Sequence, residues 1–424
     1  MMARLLAYTS TTPGHVFPPV QMLLELQRRG HEIHVRTQAE AVARLGALGL
    51  RAAPVDPRIE ALEFDDWRAR TQTGNMRRIV ELYGRFAELE IPDVRGAIDE
   101  VDPDALIMDI QCEGGGYVAA ASGLPWAQYC PYPTPLRSRD APPHGAGVAP
   151  ARGSLGRARD RLLYRLGDRM LAPHVAQRNE LRAALGLAPM RRYDDQWREA
   201  DRFIAFTAEP YEYPRGDWPP SVRLVGPGTW DPPSEPPAWL ASETRPIVLV
   251  TASTAYQKDA KLITTALAAF ADEDVALIVT TGAHDPSKFD APPNARVEGF
   301  LPHGPIIARA ACVVCHGGQG TTQKALAAGV PVCVVAFCRD QFDVARRVQV
   351  ADAGVRMHHR RLTPRRLRNA VQATIRKRGG ARRVAQGFAA AGGAPAAADA
   401  VEELPLDHAA PATSPPRIQA TAWR

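Results

Sequence analysis

Short apolar runs recur along the chain, and most are followed by a stretch in which apolar residues return every three or four positions. "ARLLAYTS" reads as a buried strand, and "VFPPVQMLLELQRRG" as the helix after it, with Val16, Val20, Leu23 and Leu24 on one face and Gly30 as its stop. "HEIHVRT" is the next strand and "AEAVARLGALG" the next helix; "DALIMDI", "LPWAQYC" and "ADRFIAFT" continue the series. Strands alternating with helices predict a parallel sheet with right-handed crossovers.

The rhythm pauses at "VGPGTWDPPSEPPAWLASETRP", which has the proline, glycine and acidic content of a linker. A second series then begins with "IVLVTAS" and the helical "KLITTALAAFA", followed by "VALIVTTG", "ARVEGF", "ACVVCHGG" and "PVCVVAF". The prediction is an α/β protein of two Rossmann-like, doubly wound parallel-sheet domains facing across a cleft. The first spans 1–221, the linker 222–245 and the second 246–390; residues 391–406 form a helix returning to the first, and 407–424 a flexible tail. Ligands belong at the carboxyl ends of both sheets.

Composition agrees with a soluble two-domain protein: 424 residues, 45% hydrophobic and 23% charged. The net charge of +6 is modest, and five of the 52 cations are lysines. The densest basic run follows Met357, but Leu367, Val371, Thr374 and Ile375 form an apolar stripe within it, with Thr363 as N-cap and Pro364 at the first helical position. That pattern is a helix with a solvated arginine face, not a nucleic-acid surface. The start, "MMARLLAYTSTTPGH", has too short an apolar stretch for a signal peptide or membrane helix, so a cytoplasmic protein without membrane insertion is expected, as monomer or homodimer. The six cysteines show no metal-ligand spacing; Cys312 and Cys315 lie three apart in a strand and point to opposite faces, so reduced core thiols are expected.

The chemistry concentrates in "HGGQGTTQKALAAGVPVCVVAF", His316 to Phe337. A glycine-rich turn between a strand and a helix presents bare N–H groups to an anion, and glycine allows close approach. Neither the G-x-G-x-x-G fingerprint nor the Gly-Lys-Ser/Thr of a P-loop is present. His316 adds a ring N–H for a phosphate oxygen.

"HGG.GT...AL..GVP.....F..DQ", continued by "VARRVQVADAG", resembles the donor-binding signature of glycosyltransferase family 1, the UDP-glucuronosyl- and UDP-glucosyltransferase-like enzymes, of the antibiotic and macrolide type. The resemblance is strong from Phe300 to Gly354 and looser elsewhere. It implies the GT-B fold and inverting, metal-independent transfer of a sugar from a nucleoside diphosphate sugar, UDP- or TDP-linked, which serves as co-substrate with no further cofactor. The acceptor implied is a hydroxyl of a lipophilic small molecule such as a polyketide, macrolide or phenolic natural product. Carried over, His316 bonds the donor phosphate, Gly318, Gly320 and Thr321 the diphosphate, Asp340 and Gln341 the sugar hydroxyls, and Phe300 stacks on the base. Ser253 and Thr254, in "TAST", match the loop near the β-phosphate, although the usual glycine is missing. Lys324 departs from the glutamate that many UDP-sugar users place there for the ribose hydroxyls. A lysine cannot accept a hydrogen bond, which leaves room for a deoxyribose.

Inverting transfer needs a base for the acceptor hydroxyl, and a histidine with a carboxylate behind it is suited to that. His15, in "PGHVFP" after the first strand, and Asp109, ending "DALIMD", stand where the family carries base and orienting aspartate. His31 and His34 read as structural. The bulky residues Phe64, Trp67, Met76, Tyr83, Phe86, Tyr129 and Tyr132 are the candidates for an apolar acceptor pocket. Two other readings stand beside the transferase: a non-catalytic nucleotide-sugar-binding auxiliary protein and a GT-B sugar-nucleotide epimerase.

Overall fold

The computed structural model describes residues 2–406 except 70, 233 and 255; the expected tail 407–424 lies outside them. The first sheet holds β1 (Arg4–Tyr8), β2 (Glu32–Thr37), β3 (Arg51–Pro54), β4 (Ala105–Asp109), β5 (Trp126–Cys130), β6 (Arg202–Ala205) and β7 (Val222–Leu224), in the order β3-β2-β1-β4-β5-β6-β7. The second holds β8 (Ile247–Thr251), β9 (Ala276–Thr280), β10 (Ala295–Glu298), β11 (Ala310–Cys315), β12 (Val332–Ala336) and β13 (Gly354–His358), in the order β10-β9-β8-β11-β12-β13. Neighbouring strands run parallel throughout. The central strands β4, β5, β8, β9 and β12 are buried at every position, as expected when helices cover both faces.

Both sheets reverse strand order at their first strand, between β1 and β4 and between β8 and β11. Loops diverge there to opposite faces and leave a crevice at the carboxyl ends.

Several local expectations are corrected. The helix after β1 is broken: Pro13–Val16 is one short helix, and Val20–Arg28 begins after Pro18 and Pro19, which have no N–H to continue it. β7 completes the first sheet, so that domain extends past residue 221 and the linker begins after Leu224. Thr363 occupies the N-cap of Pro364–Ile375 but makes no side-chain capping bond, and Ile375 is exposed while Leu367, Val371 and Thr374 are buried. The helical reading of "TTQKALAAG" makes Ala325, Leu326 and Ala328 one packing face; in the helix Gln319–Ala327 the first two pack inward, whereas Ala328, just past its end, is exposed.

The helix Gly393–Glu402 follows the second half yet buries Ala397, Ala398, Ala400 and Val401 in the same core as Leu23, Leu26 and Ile33 of the first. Arg29 grips its carboxylates Asp399 and Glu402 at 2.6 Å each, and His31 Nε2 lies 3.0 Å from Glu402. His34 sits beside Glu32. Cys312 and Cys315 fall in separate cores on the two faces of the second sheet, and all six cysteines are free. No helix among the described residues is long and apolar enough to cross a membrane.

Candidate active site

The switch point of the first sheet brings His15 and Asp109 together. β1 and β4 are adjacent with Tyr8 opposite Met108, so the turn after Tyr8 lies over the end of β4. His15 Nδ1 is 2.9 Å from both Asp109 oxygens, and Asp109 is fully buried. A carboxylate accepts only, so Nδ1 carries the proton; in the neutral ring the lone pair is then on Nε2. The rest of the carboxylate is held by Gln111 N at 2.8 Å, Ser10 N at 3.3 Å and the Tyr129 hydroxyl at 2.9 Å. Burial, and then the Asp109 charge, push the Tyr129 hydroxyl well above its ordinary pKa, so it stays a donor.

That placement corrects the expected pocket role of Tyr129: it is a fully buried strand residue behind the dyad. Phe86 packs in the core with Leu82 and Met108, and also lines a small cavity with Tyr83, Ser10 and Gln111. Phe64 packs on that core's edge, and Trp67 lies against Tyr256 and Lys258 of the second half. Tyr132, Tyr83 and Met76 remain beside the site. The Tyr132 ring is 5.6 Å from that of His15; Tyr83 accepts from Gln111 Nε2 at 2.8 Å; Met76 lies under Gly145, where a Cβ would stand 3.1 Å from its methyl carbon.

The second switch point gathers the glycine-rich loop. His316 follows β11 and is buried, with Nδ1 lacking any partner among the described residues. Burial lowers its pKa, which keeps the ring neutral. A Cβ on Gly318 would lie 2.7 Å from His316 Nε2, so the turn requires glycine to seat the ring. Gly318 caps the helix Gln319–Ala327, with Gly320 exposed and Thr321 half-buried in its first turn. Beside it, after β8, Ser253 N donates to Asp259 at 2.7 Å, and Thr254 is exposed. Asp259 is fully buried and its other oxygen meets His284 at 2.7 Å; it shapes this loop, and sequence reasoning missed it. Phe300 is 74% exposed after the edge strand β10, a flat apolar face without cover.

Asp340 and Gln341 stand at the start of the helix Gln341–Val350. Burial raises the Asp340 pKa against the opposing charge of His144. Gln341 departs from expectation, because its side chain is occupied: Oε1 accepts from Phe337 N at 2.8 Å and Cys338 N at 3.1 Å, and its amide donates to Gln257. Lys324 pairs with Asp231 of the linker.

Carboxyl-end loops of the two sheets also touch. Gly145 N and Gly147 N donate to Asp343 at 2.5 and 2.7 Å, and Tyr211 donates to Gln319 at 2.7 Å. Glu212 is buried between Arg215 and Arg347; burial pushes its pKa up, but the two guanidiniums outweigh it and the net shift is downward.

With this geometry in view, the chain is 33% identical over 392 residues to 4'-demethylrebeccamycin synthase of Lentzea aerocolonigenes, covering 88% of this chain and 92% of that protein. Residues 264–404 match the model of the erythromycin biosynthesis protein CIII-like C-terminal domain. The chain belongs to the antibiotic glycosyltransferases. It is also 29% identical over 408 residues to a PGL/p-HBAD biosynthesis rhamnosyltransferase of Mycobacterium tuberculosis, covering 89% and 82% of the two chains. The calicheamicin glycosyltransferase CalG4 shares the fold, with a TM-score of 0.73 at 23% identity over 95% of this chain and 98% of that one. The glycosyltransferase VinC in complex with dTDP has a TM-score of 0.67 at 22% identity, covering 94% and 98%. The fold of this glycosyltransferase is therefore GT-B, and its family sets aside the non-catalytic and epimerase readings.

Proposed function

We propose that this glycosyltransferase moves a sugar, with inversion, from a TDP- or UDP-sugar to a hydroxyl of a lipophilic small molecule. The observation that carries this reading is the His15 Nδ1 contact to the buried Asp109 at 2.9 Å, which leaves Nε2 as a base. Nε2 takes the acceptor hydroxyl's proton as that oxygen bonds to the anomeric carbon. The bond from that carbon to the diphosphate oxygen breaks on the opposite side, and the nucleoside diphosphate leaves with the electron pair. Asp109 stabilises the imidazolium that forms.

His316 and the N-terminal turn of Gln319–Ala327 take the diphosphate, where N–H groups and the helix dipole favour an anion. Phe300 stacks on the base. Ser253 and Thr254 reach the β-phosphate, and Asp340 takes sugar hydroxyls. The Lys324 ammonium is committed to Asp231 and has no acceptor for a ribose 2′-hydroxyl, which favours TDP. The acceptor lies by Tyr132, Tyr83 and Met76. Incubation with TDP- and UDP-sugars and a panel of polyketide, macrolide and phenolic acceptors tests this reading: a new glycoside of inverted configuration is expected. Retention of configuration in that product overturns the proposed mechanism.

A further inference from the structure

Four non-glycine residues among those described have left-handed backbone: Asp102, Lys258, Arg339 and Asp352. Asp102 caps the helix Gln72–Val101 and Asp352 follows the helix Gln341–Val350, where that conformation commonly ends a helix. Lys258 (φ 57°) and Arg339 (φ 52°) instead lie in the loops after β8 and β12, in a conformation that side chains adopt only when the surroundings enforce it.

Both reach across to one short segment of the first half, in the loop after β3. Arg339 Nε and Nη2 meet Asp66 at 2.9 and 2.5 Å, and the guanidinium lies 5.0 Å from the Phe64 ring centre. Lys258 Nζ lies 4.8 Å from the Trp67 ring, and Tyr256 meets the same indole edge-on at 5.1 Å. Asp66 is 1% exposed and is oriented from behind by Asn75 Nδ2 at 2.6 Å. A buried ion pair adds little net stability over an apolar contact but sets register, because leaving either partner alone is costly. Arg339 is also the neighbour of Asp340.

We propose that Phe64–Trp67 is a strap gripped by the donor half from two loops, with Arg339 and Lys258 as positioning residues for transfer. The grip sets the loops carrying Asp340 and Ser253 against the acceptor side and keeps water from the anomeric carbon. This rests on the proposed transfer across the cleft. Without the grip, water replaces the acceptor: its oxygen bonds to the anomeric carbon, its proton passes to His15, and nucleoside diphosphate leaves with free sugar as the second product.

The test uses the full chain with Asp66→Asn, Arg339→Lys, Arg339→Ala and the charge-exchanged double variant D66R/R339D. Transfer kcat is expected to fall about tenfold to a hundredfold in Asp66→Asn and Arg339→Ala, with the hydrolysed share of donor rising. The nucleoside diphosphate Kd stays within about threefold, since the strap touches neither His316 nor Phe300. Arg339→Lys, which retains the charge, and the double variant recover part of the rate. Amide exchange over residues 61–69 is read in parallel without any turnover; it rises in the two disrupting variants and falls back in the double. Exchange and partitioning indifferent to the pair, in variants that melt cooperatively, overturn the strap. Exchange that follows the pair in a protein that transfers no sugar supports the grip and removes the transfer reading instead.

Discussion

Asp109 meets His15 Nδ1 at 2.9 Å through each carboxylate oxygen, and two backbone N–H groups and a tyrosine hydroxyl hold that carboxylate in place. A carboxylate so fixed selects one imidazole tautomer. Asp109→Asn retains the shape but lets the amide donate to Nδ1, which puts the proton on Nε2. Transfer kcat is expected to fall about 10²- to 10⁴-fold. His15→Ala falls as far, while calorimetric titration with nucleoside diphosphate gives wild-type affinity for both. Wild-type turnover by His15→Ala would remove the base assignment.

Tyr129→Phe deletes one bond to the buried Asp109 without changing ring packing. A hydrogen bond to a buried charge contributes about 1.5–3 kcal/mol. The variant is expected to lose stability of that order and to slow transfer less than Asp109→Asn. Denaturant melts and steady-state rates check the ranking. An equal loss of rate in both variants is incompatible with a supporting role for Tyr129.

How much of this was legible along the chain follows from burial. "DALIMDI" and "IVLVTAS" announce themselves because every position of β4 and β8 is covered. β3, β7 and β13 went unread: "RAAP" and "VRL" carry almost no apolar signal, and β13, "GVRMH", alternates at the sheet edge. His15 and Asp109 were readable as motifs, but their contact across 94 positions depends on β1 lying beside β4, which no local pattern states. Asp259, Asp66 and Arg339 act through partners in other loops, so their neighbours in sequence are silent about them. Tyr129 looked like a pocket aromatic because a strand's two faces cannot be told apart when both are buried.

Lys324 sits where the family resemblance leads to a ribose-binding glutamate, and it is held by Asp231. Lys324→Glu supplies an acceptor for the ribose 2′-hydroxyl and removes the ion pair. The ratio of UDP to TDP affinity, from paired titrations, is expected to rise at least about fivefold, roughly 1 kcal/mol, the net worth of one hydrogen bond. An unchanged ratio would show that the nucleoside is selected elsewhere, at the base beside Phe300.

Glu90 provides a pH signature independent of catalysis. It is buried where the helices Gln72–Val101 and Glu113–Ser122 touch, and accepts from Gly114 N at 2.9 Å. A Cβ at Gly114 would stand 2.4 Å from Ala87 O, so the close approach that buries Glu90 requires glycine there. Burial pushes its pKa up to about 8, from the 4.5 of a free glutamate, so the native state holds a proton that the unfolded state has released. Protons bound in excess by the native state make stability fall as pH rises, here from about 4.5 to about 8. Below that window both states are protonated and Glu90 costs nothing; above it both are ionised and the full penalty stands. Glu90→Gln keeps an acceptor for Gly114 N and removes the charge. Its melting temperature is expected to match wild type below about pH 4 and to exceed it by several degrees near pH 8, because a shift of this size corresponds to several kcal/mol. A difference that stays constant across that range would place the Glu90 proton in neither state and remove the argument.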